Sequence, residues 1–460
     1  MIFRLSAPRG IFTRLAKPLG PLLPPRASFS VNAPSLRDIP TSHVDLEATF
    51  EAACASRVIP GAVLIAGDRL GKLNYRKAFG VCSVLGDLQN EPLSVDSVMY
   101  VASCTKLLTT LAALQCVERG LVTLDEDVRP IVTELQGLDI LQGDGEGDIA
   151  SKRKNTTPIT LRQLLTHQSG FSYKNNEPLL QQWRKGLPEA ERGSSTSLRG
   201  RFLHPLLFEP GSNWSYGPSV DWAGVVVERL TASNLEEYMK QNIWKPLGIS
   251  DMTFFLSSRP DMQARVAHMT RRVVSDTGSE DEVLIHSPVQ PVLDPDMEDC
   301  LGGGGIFTSP RELFNVVRAV LLASDPSASD TAPIPPTQLL RRSTVDSMFQ
   351  PELGESGRAA LQKVAQIPRL NRIMGDMPVS AIRDWGLGGL LLMDDLPSWR
   401  GKGTLTWGGN PNLTWWIDPK AGLCGLYAAQ LMPLGDQKSV ALTKLFEREM
   451  YARLVAASSD

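Results

Sequence analysis

The sequence predicts an α+β fold in which one antiparallel sheet is assembled from both ends of the chain. Helices flank this sheet, and a mostly helical subdomain is inserted between its two halves. Two observations carry the prediction. Short apolar runs rich in strand formers, separated by Asp, Gly and Pro, occur near the start of the folded region and again after Trp385. The stretch between them reads mainly as helix and loop, with apolar residues at helical spacing. Strands at both ends with helices between pack most economically as a single sheet with a helical insertion.

Taken in order, residues 1–42 form a basic leader outside the fold. Arg4, Arg9, Arg14, Lys17, Arg26 and Arg37 occur in the first 37 residues without one acidic side chain. That is the composition of a mitochondrial transit peptide. Pro8, Pro18, Pro21, Pro24 and Pro25 would interrupt an amphipathic helix, so a disordered basic tail with no address fits as well. The protein is therefore expected in the cytosol, or in the mitochondrion if the leader is an address.

The catalytic unit is expected over 43–460, with sheet parts at about 43–98 and 380–460 and a helical part at about 99–379. Leu46 to Ala55 reads as a helix. Ala62 to Ala66 and Leu73 to Gly80, joined by turn residues at Asp68 to Gly71, read as a β-hairpin. A helix begins near Ser103, with Leu107, Leu111 and Leu114 as its apolar stripe and Gly120 as its stop. Ile159 to Gly170 is a capped helix running into a glycine. Asp221 to Leu230 and Leu235 to Ile243 are apolar helices. Gly302 to Gly305 reads as a flexible run and not as a phosphate-binding loop, because no Lys-Ser/Thr follows it. Ser309-Pro310-Arg311-Glu312 is a helix start with Ser at the cap and Pro at the first turn. Residues 324–336 read as a surface loop. Four strands then follow, at 389–393, 403–407, 412–417 and 425–430, and a last helix runs from Lys438 to Leu454.

Bulk properties exclude several functions. The net charge of −3 over 460 residues gives no reason to expect nucleic acid or an anionic membrane surface as a partner. No apolar run reaches the roughly 18 residues of a membrane-spanning helix. The six cysteines are scattered with no C-x-x-C pair and read as buried free thiols. The five histidines lack metal-ligand spacing, so no metal or cofactor is implied.

Ser103 and Lys106 stand three apart, which places both on one face of a helix start. Unpaired N–H groups there favour an oxyanion, and a partly desolvated lysine can activate a serine. Alone, S-x-x-K equally fits a capped surface helix. Further segments decide the matter: Leu164-Leu165-Thr166-His167-Gln168-Ser169-Gly170, Tyr216 within Trp214-Ser215-Tyr216-Gly217-Pro218, and Trp407-Gly408-Gly409. In this order they resemble the serine β-lactamase and penicillin-binding superfamily. Asp221-Trp222-Ala223-Gly224, Pro246 to Phe254 and Ile417 to Cys424 are similar to the fungal transesterases of the lovastatin pathway.

The resemblance implies that Ser103 is the nucleophile, that Lys106 holds the proton network, and that Tyr216 is the general base. It implies an oxyanion site at the third motif, Trp407-Gly408-Gly409-Asn410, from the Ser103 and Asn410 amides. Gly408 and Gly409 would let substrate approach the strand closely. Pro218 stands where the family pattern has Asn, and Trp407 where it has Lys. Both departures put lactam hydrolysis in doubt and suggest an apolar wall at Trp407. Trp385, Trp415 and Trp416 either extend that wall or pack the sheet. Arg201 falls where the transesterases place a substrate-contacting arginine, while His167 lies in a structural loop. The implied activity is acyl transfer from a thioester, on a polyketide synthase carrier domain or coenzyme A, through acyl-Ser103 to a hydroxyl of a small secondary metabolite. A carboxylesterase on the same triad and a non-catalytic mitochondrial scaffold are the alternatives.

Overall fold

The computed structural model describes residues 45–459 apart from 86–89, 145–148, 175–176, 189–194, 275–281, 288–296, 328–334 and 336. The leader, and most of the expected loop at 324–336, therefore lie outside the described residues. Helix α1 (Leu46–Ala55) opens the fold, capped by the Asp45 carboxylate, which accepts from the Ala48 N–H. Strands β1 (Gly61–Asp68) and β2 (Asn74–Gly80) form the hairpin expected from sequence. Helices α2 (Thr105–Glu118), α3 (Ser219–Thr231) and α4 (Pro310–Ala323) form the main part of the helical body. Strands β3 (Arg383–Gly386), β4 (Gly389–Leu392), β5 (Leu405–Gly409), β6 (Leu413–Asp418) and β7 (Leu423–Ala428) follow, and α5 (Gln437–Ser459) closes the chain.

The main sheet has seven strands in the order β3-β4-β5-β6-β7-β1-β2, antiparallel throughout. The two ends of the sequence meet in the middle, where β1 pairs with β7 at Val63↔Ala428. β1 is buried along its whole length because both of its faces are covered. Val63 and Ile65 face the helical body, while Ala62, Leu64 and Ala66 face α1 and α5. That two-sided burial is why the strand reads as a continuous apolar run and not as an alternation.

α2 is buried from Thr105 to Cys116 on every side. The stripe of Leu107, Leu111 and Leu114 is real, yet its other faces are covered as well, and α3 packs along it. Each of these leucines contributes about 1.5–3 kcal/mol by leaving water. α4 begins as the sequence indicates: the Ser309 hydroxyl accepts from the Glu312 N–H with Pro310 in the first turn.

Two hairpins lie in the region read as helix and loop, Asp139–Gly143 with Ile149–Lys154, and Thr270–Val274 with Glu282–His286. Charged runs such as Ser151-Lys152-Arg153-Lys154 hide the first. Its second strand is exposed from Ser151 to Lys154, and its first buries the adjacent Ile140 and Leu141, so no apolar alternation betrays it. The glycine run at 302–305 is also corrected. It is largely buried against α2 and α3, and Gly302 O accepts a 2.7 Å hydrogen bond from Thr109 Oγ1.

Candidate active site

Ser103 sits in a 3-10 turn (Ala102–Cys104) that leads directly into α2, and so lies just ahead of the α-helix proper. The turn is strained. Ala102 has φ of 45°, in the left-handed region that a residue with a Cβ rarely adopts. Backbone strain of this kind clusters at functional sites. β5 braces this turn. A Cβ on Gly409 would lie 2.3 Å from Val101 O and 3.4 Å from Cys104 Sγ. One on Gly408 would meet Leu413 O at 2.4 Å. The glycines are thus required by the protein's own backbone, which differs from the expectation that they make room for substrate.

Lys106 is 1% exposed, and its ammonium is fully satisfied. It donates to Ser103 Oγ at 3.3 Å, to the Tyr173 hydroxyl at 3.2 Å and to Gly303 O at 2.6 Å. Three donors meet three acceptors, the condition for holding such a group away from water. Tyr173 was not expected from sequence. It stands three residues beyond the Ser169-Gly170 turn, and no spacing rule marks it. Burial first, and then the Asp221 charge, push its phenol well above the usual range, so it serves as a neutral hydroxyl.

The Tyr216 ring lies beneath the ammonium, with Lys106 Nζ 4.8 Å from its centroid. Its oxygen accepts a 2.9 Å hydrogen bond from Trp407 Nε1 and makes none to Ser103. Trp407 is therefore a hydrogen-bond donor, which the expectation of an apolar wall did not include. Catalytic hydrogen bonds commonly tighten only when substrate is bound. His167 packs against Tyr216 at 4.6 Å between ring centroids, accepts from the Gly217 N–H through Nδ1, and has φ of 60°. Burial, and then Lys106, hold its pKa well below the usual value, so the imidazole is a neutral prop for the tyrosine loop.

The other expected residues divide. Trp385 joins the site, with its ring 4.7 Å from Trp407 and 6.1 Å from Tyr216. Trp415 has no exposed surface; its ring rests on Gly389, so it offers nothing to a substrate. Trp416 faces the opposite side of the sheet, against Phe446 of α5. Adjacent strand residues must point to opposite faces, which separates these two. Arg201 is half-buried on the short helix Leu198–Phe202, its Nε donating to Ser195 O, and its charge acts on Asp221 and Tyr100. Asn410 directly follows β5. All six cysteines are free, and no cluster able to hold a metal occurs among the described residues.

The Beta-lactamase family model matches residues 46–447. The chain belongs to the β-lactamase family. Within that family it is 42% identical over 417 residues to monacolin J acid methylbutanoyltransferase of Aspergillus terreus, covering 89% of this chain and 95% of the relative. It is 37% identical over 416 residues to lovastatin esterase of Penicillium rubens, covering 89% of this chain and 99% of that protein. The solved structure of unliganded simvastatin synthase from Aspergillus terreus, as the selenomethionyl derivative, superposes with a TM-score of 0.79 at 40% identity, covering 89% of this chain and 97% of that one. The β-lactamase fold expected from sequence is therefore the fold observed, and the chain's resemblance to the lovastatin-pathway acyltransferases holds over most of its length. Among the described residues, no helix is long and apolar enough to cross a membrane.

Proposed function

We propose that this β-lactamase-family protein is a serine acyltransferase. It moves a short acyl group from a thioester to a hydroxyl of a small secondary metabolite. The observation that carries the reading is the Ser103–Lys106 contact at 3.3 Å, with the other two ammonium hydrogens already engaged. An ammonium so occupied donates to Ser103 and cannot take its proton, which leaves Tyr216 as base. In acylation the Ser103 Oγ–H proton passes to the Tyr216 oxygen while Oγ bonds to the thioester carbon. The oxyanion is held by the Ser103 and Asn410 amides. The C–S bond then breaks, and the thiol leaves with the proton. In the second half an acceptor hydroxyl gives its proton to Tyr216 and attacks the acyl-ester, and Ser103 recovers a proton as the new ester departs.

The donor class follows from the relatives, one of which is named for a methylbutanoyl group. The thioester's carrier, an acyl-carrier domain of a polyketide synthase or coenzyme A, is part of the proposal, as is substrate contact by Arg201. So is the reading of the basic leader, which leaves the cytosol and the mitochondrion as the two compartments. A hydrolytic reading is favoured by one observation, the 37% identity to an esterase. The test is incubation with a short-chain acyl thioester with and without an alcohol acceptor, following intact protein mass and products. Acyl-Ser103 and an ester that appears only with the alcohol are expected. Free acid alone in both tubes would make the protein a hydrolase.

A further inference from the structure

Asp221 lies in the first turn of α3, 1% exposed, and makes no ion pair among the described residues. A carboxylate that deep is costly unless something compensates it. One ordinary reading is a first-turn acid that favours the positive end of a helix. The surrounding geometry points elsewhere. Asp221 Oδ1 accepts from the Gly303 N–H at 2.9 Å, and the carbonyl of the same residue accepts from Lys106 Nζ at 2.6 Å. A Cβ on Gly303 would lie 2.1 Å from Asp221 Oδ2, and its three nearest neighbours would all be atoms of that carboxylate. The carboxylate therefore lies flat against the Gly303 Cα, where only glycine fits. Oδ2 itself is buried with no hydrogen-bond partner. It is held by its placement against Gly303 and not by capping anything.

We infer that Asp221 is a positioning residue for Lys106: it fixes the Gly303 backbone that captures one ammonium hydrogen, and it supplies the negative charge opposing that buried cation. The inference rests on reading Ser103, Lys106 and Tyr216 as the acylating set. The chain of contacts runs from α3 through the glycine run to α2, which Thr109 also clamps at Gly302. Burial pushes the Asp221 carboxyl up to about 6, with the Lys106 charge the strongest pull back down and Arg201 a further one. The other titratable groups facing this pair are Tyr100, Tyr173, Tyr216, His167 and Cys104. Of these, burial keeps the phenols of Tyr100 and Tyr173, the Cys104 thiol and the His167 imidazole neutral. That leaves Lys106 and Arg201 as the cations facing the site and Asp221, above about pH 6, as the anion.

The test uses the rate of Ser103 labelling by a fluorophosphonate, read from intact mass across pH, in the full chain. In Asp221→Asn the amide oxygen can still accept from Gly303, so the backbone clamp stays and only the charge goes. Without that charge the potential at the site is more positive, which favours loss of a proton on activation of Ser103. The pH of half-maximal labelling should then fall by about one unit. The maximal labelling rate should drop about tenfold, with reagent affinity unchanged. Asp221→Ala, which loses the clamp too, should show the same shift and a larger drop. Gly303→Ala tests the relation from the other side, since its Cβ must push the carboxylate away; a labelling rate within twofold of wild type would count against the inference. An Asp221→Asn protein with wild-type midpoint and maximal rate would overturn it, because a helix-stabilising acid alone would alter only the melting temperature. If the wild type takes no label at Ser103, the acylation reading fails first, and the role of Asp221 with it.

Discussion

The indole N–H of Trp407 points at the phenol oxygen of Tyr216, 2.9 Å away. Trp407 stands where the family pattern has lysine, so a neutral donor replaces a charged group beside the proposed base. Trp407→Phe keeps the wall and removes this hydrogen bond. A hydrogen bond to a charged group is worth about 1.5–3 kcal/mol, so kcat should fall roughly tenfold to a hundredfold while KM changes little. Steady-state kinetics with an acyl thioester reads the split, and a drop in affinity with unchanged kcat would restrict Trp407 to the wall.

Tyr173→Phe leaves the Lys106 ammonium with two acceptors in a buried place. One missing acceptor costs about 1–3 kcal/mol. We expect acylation of Ser103 to slow by about tenfold or more, with the fold intact by circular dichroism. Rapid-quench mass spectrometry measures the step directly.

How much of this was legible beforehand depends on what each residue does. Ser103, Lys106 and Tyr216 are carried by local motifs, and the sheet strands by continuous apolar runs, so both could be read. Tyr173 and Asp221 matter only through contacts with Lys106, far away in sequence, and no period or cap marks them. The glycines at 302–305 looked flexible because glycine usually is; what fixes them is Asp221 and Thr109. Trp415 and Trp416 were separable in principle, since neighbours in a strand face opposite ways. Which of them faced the helical body required knowing the register with β7. In the ribbon of Asp139–Gly143 with Ile149–Lys154 the buried residues Ile140 and Leu141 are adjacent, which is not the alternation of a half-buried strand.

Away from the site, Arg400 and Glu447 form a buried ion pair, 0% and 1% exposed, with hydrogen bonds of 2.6 and 2.8 Å. Trp399 Nε1 donates to the same carboxylate at 2.7 Å. Glu447→Gln leaves the guanidinium uncompensated and should lower stability by about 3–5 kcal/mol in urea titration. A loss below about 1 kcal/mol would mean that water reaches the pair.

His204 sets a pH dependence of stability. Burial depresses its pKa from 6.5 to about 4, and its Nδ1 hydrogen is directed to Pro205 O. The unfolded chain binds the proton more readily than the native one does. The contribution is therefore complete above about pH 6.5 and is lost progressively as pH falls from there towards 4. Between pH 7 and pH 5 the wild type should lose roughly 2 kcal/mol from this group, and His204→Phe should not. Urea midpoints at the two pH values compare the slopes, and equal slopes would exclude His204 as the source.

Because β1 and β7 are neighbours in the sheet, and β5 braces the Ser103 turn, Ser103 is synthesised long before the strands that hold it in place. A nascent chain still lacking its last strands carries the serine and lysine without the scaffold that fixes their geometry. A chain cut before β5 would keep Ser103 and Lys106 and lose the strand against which their turn is packed.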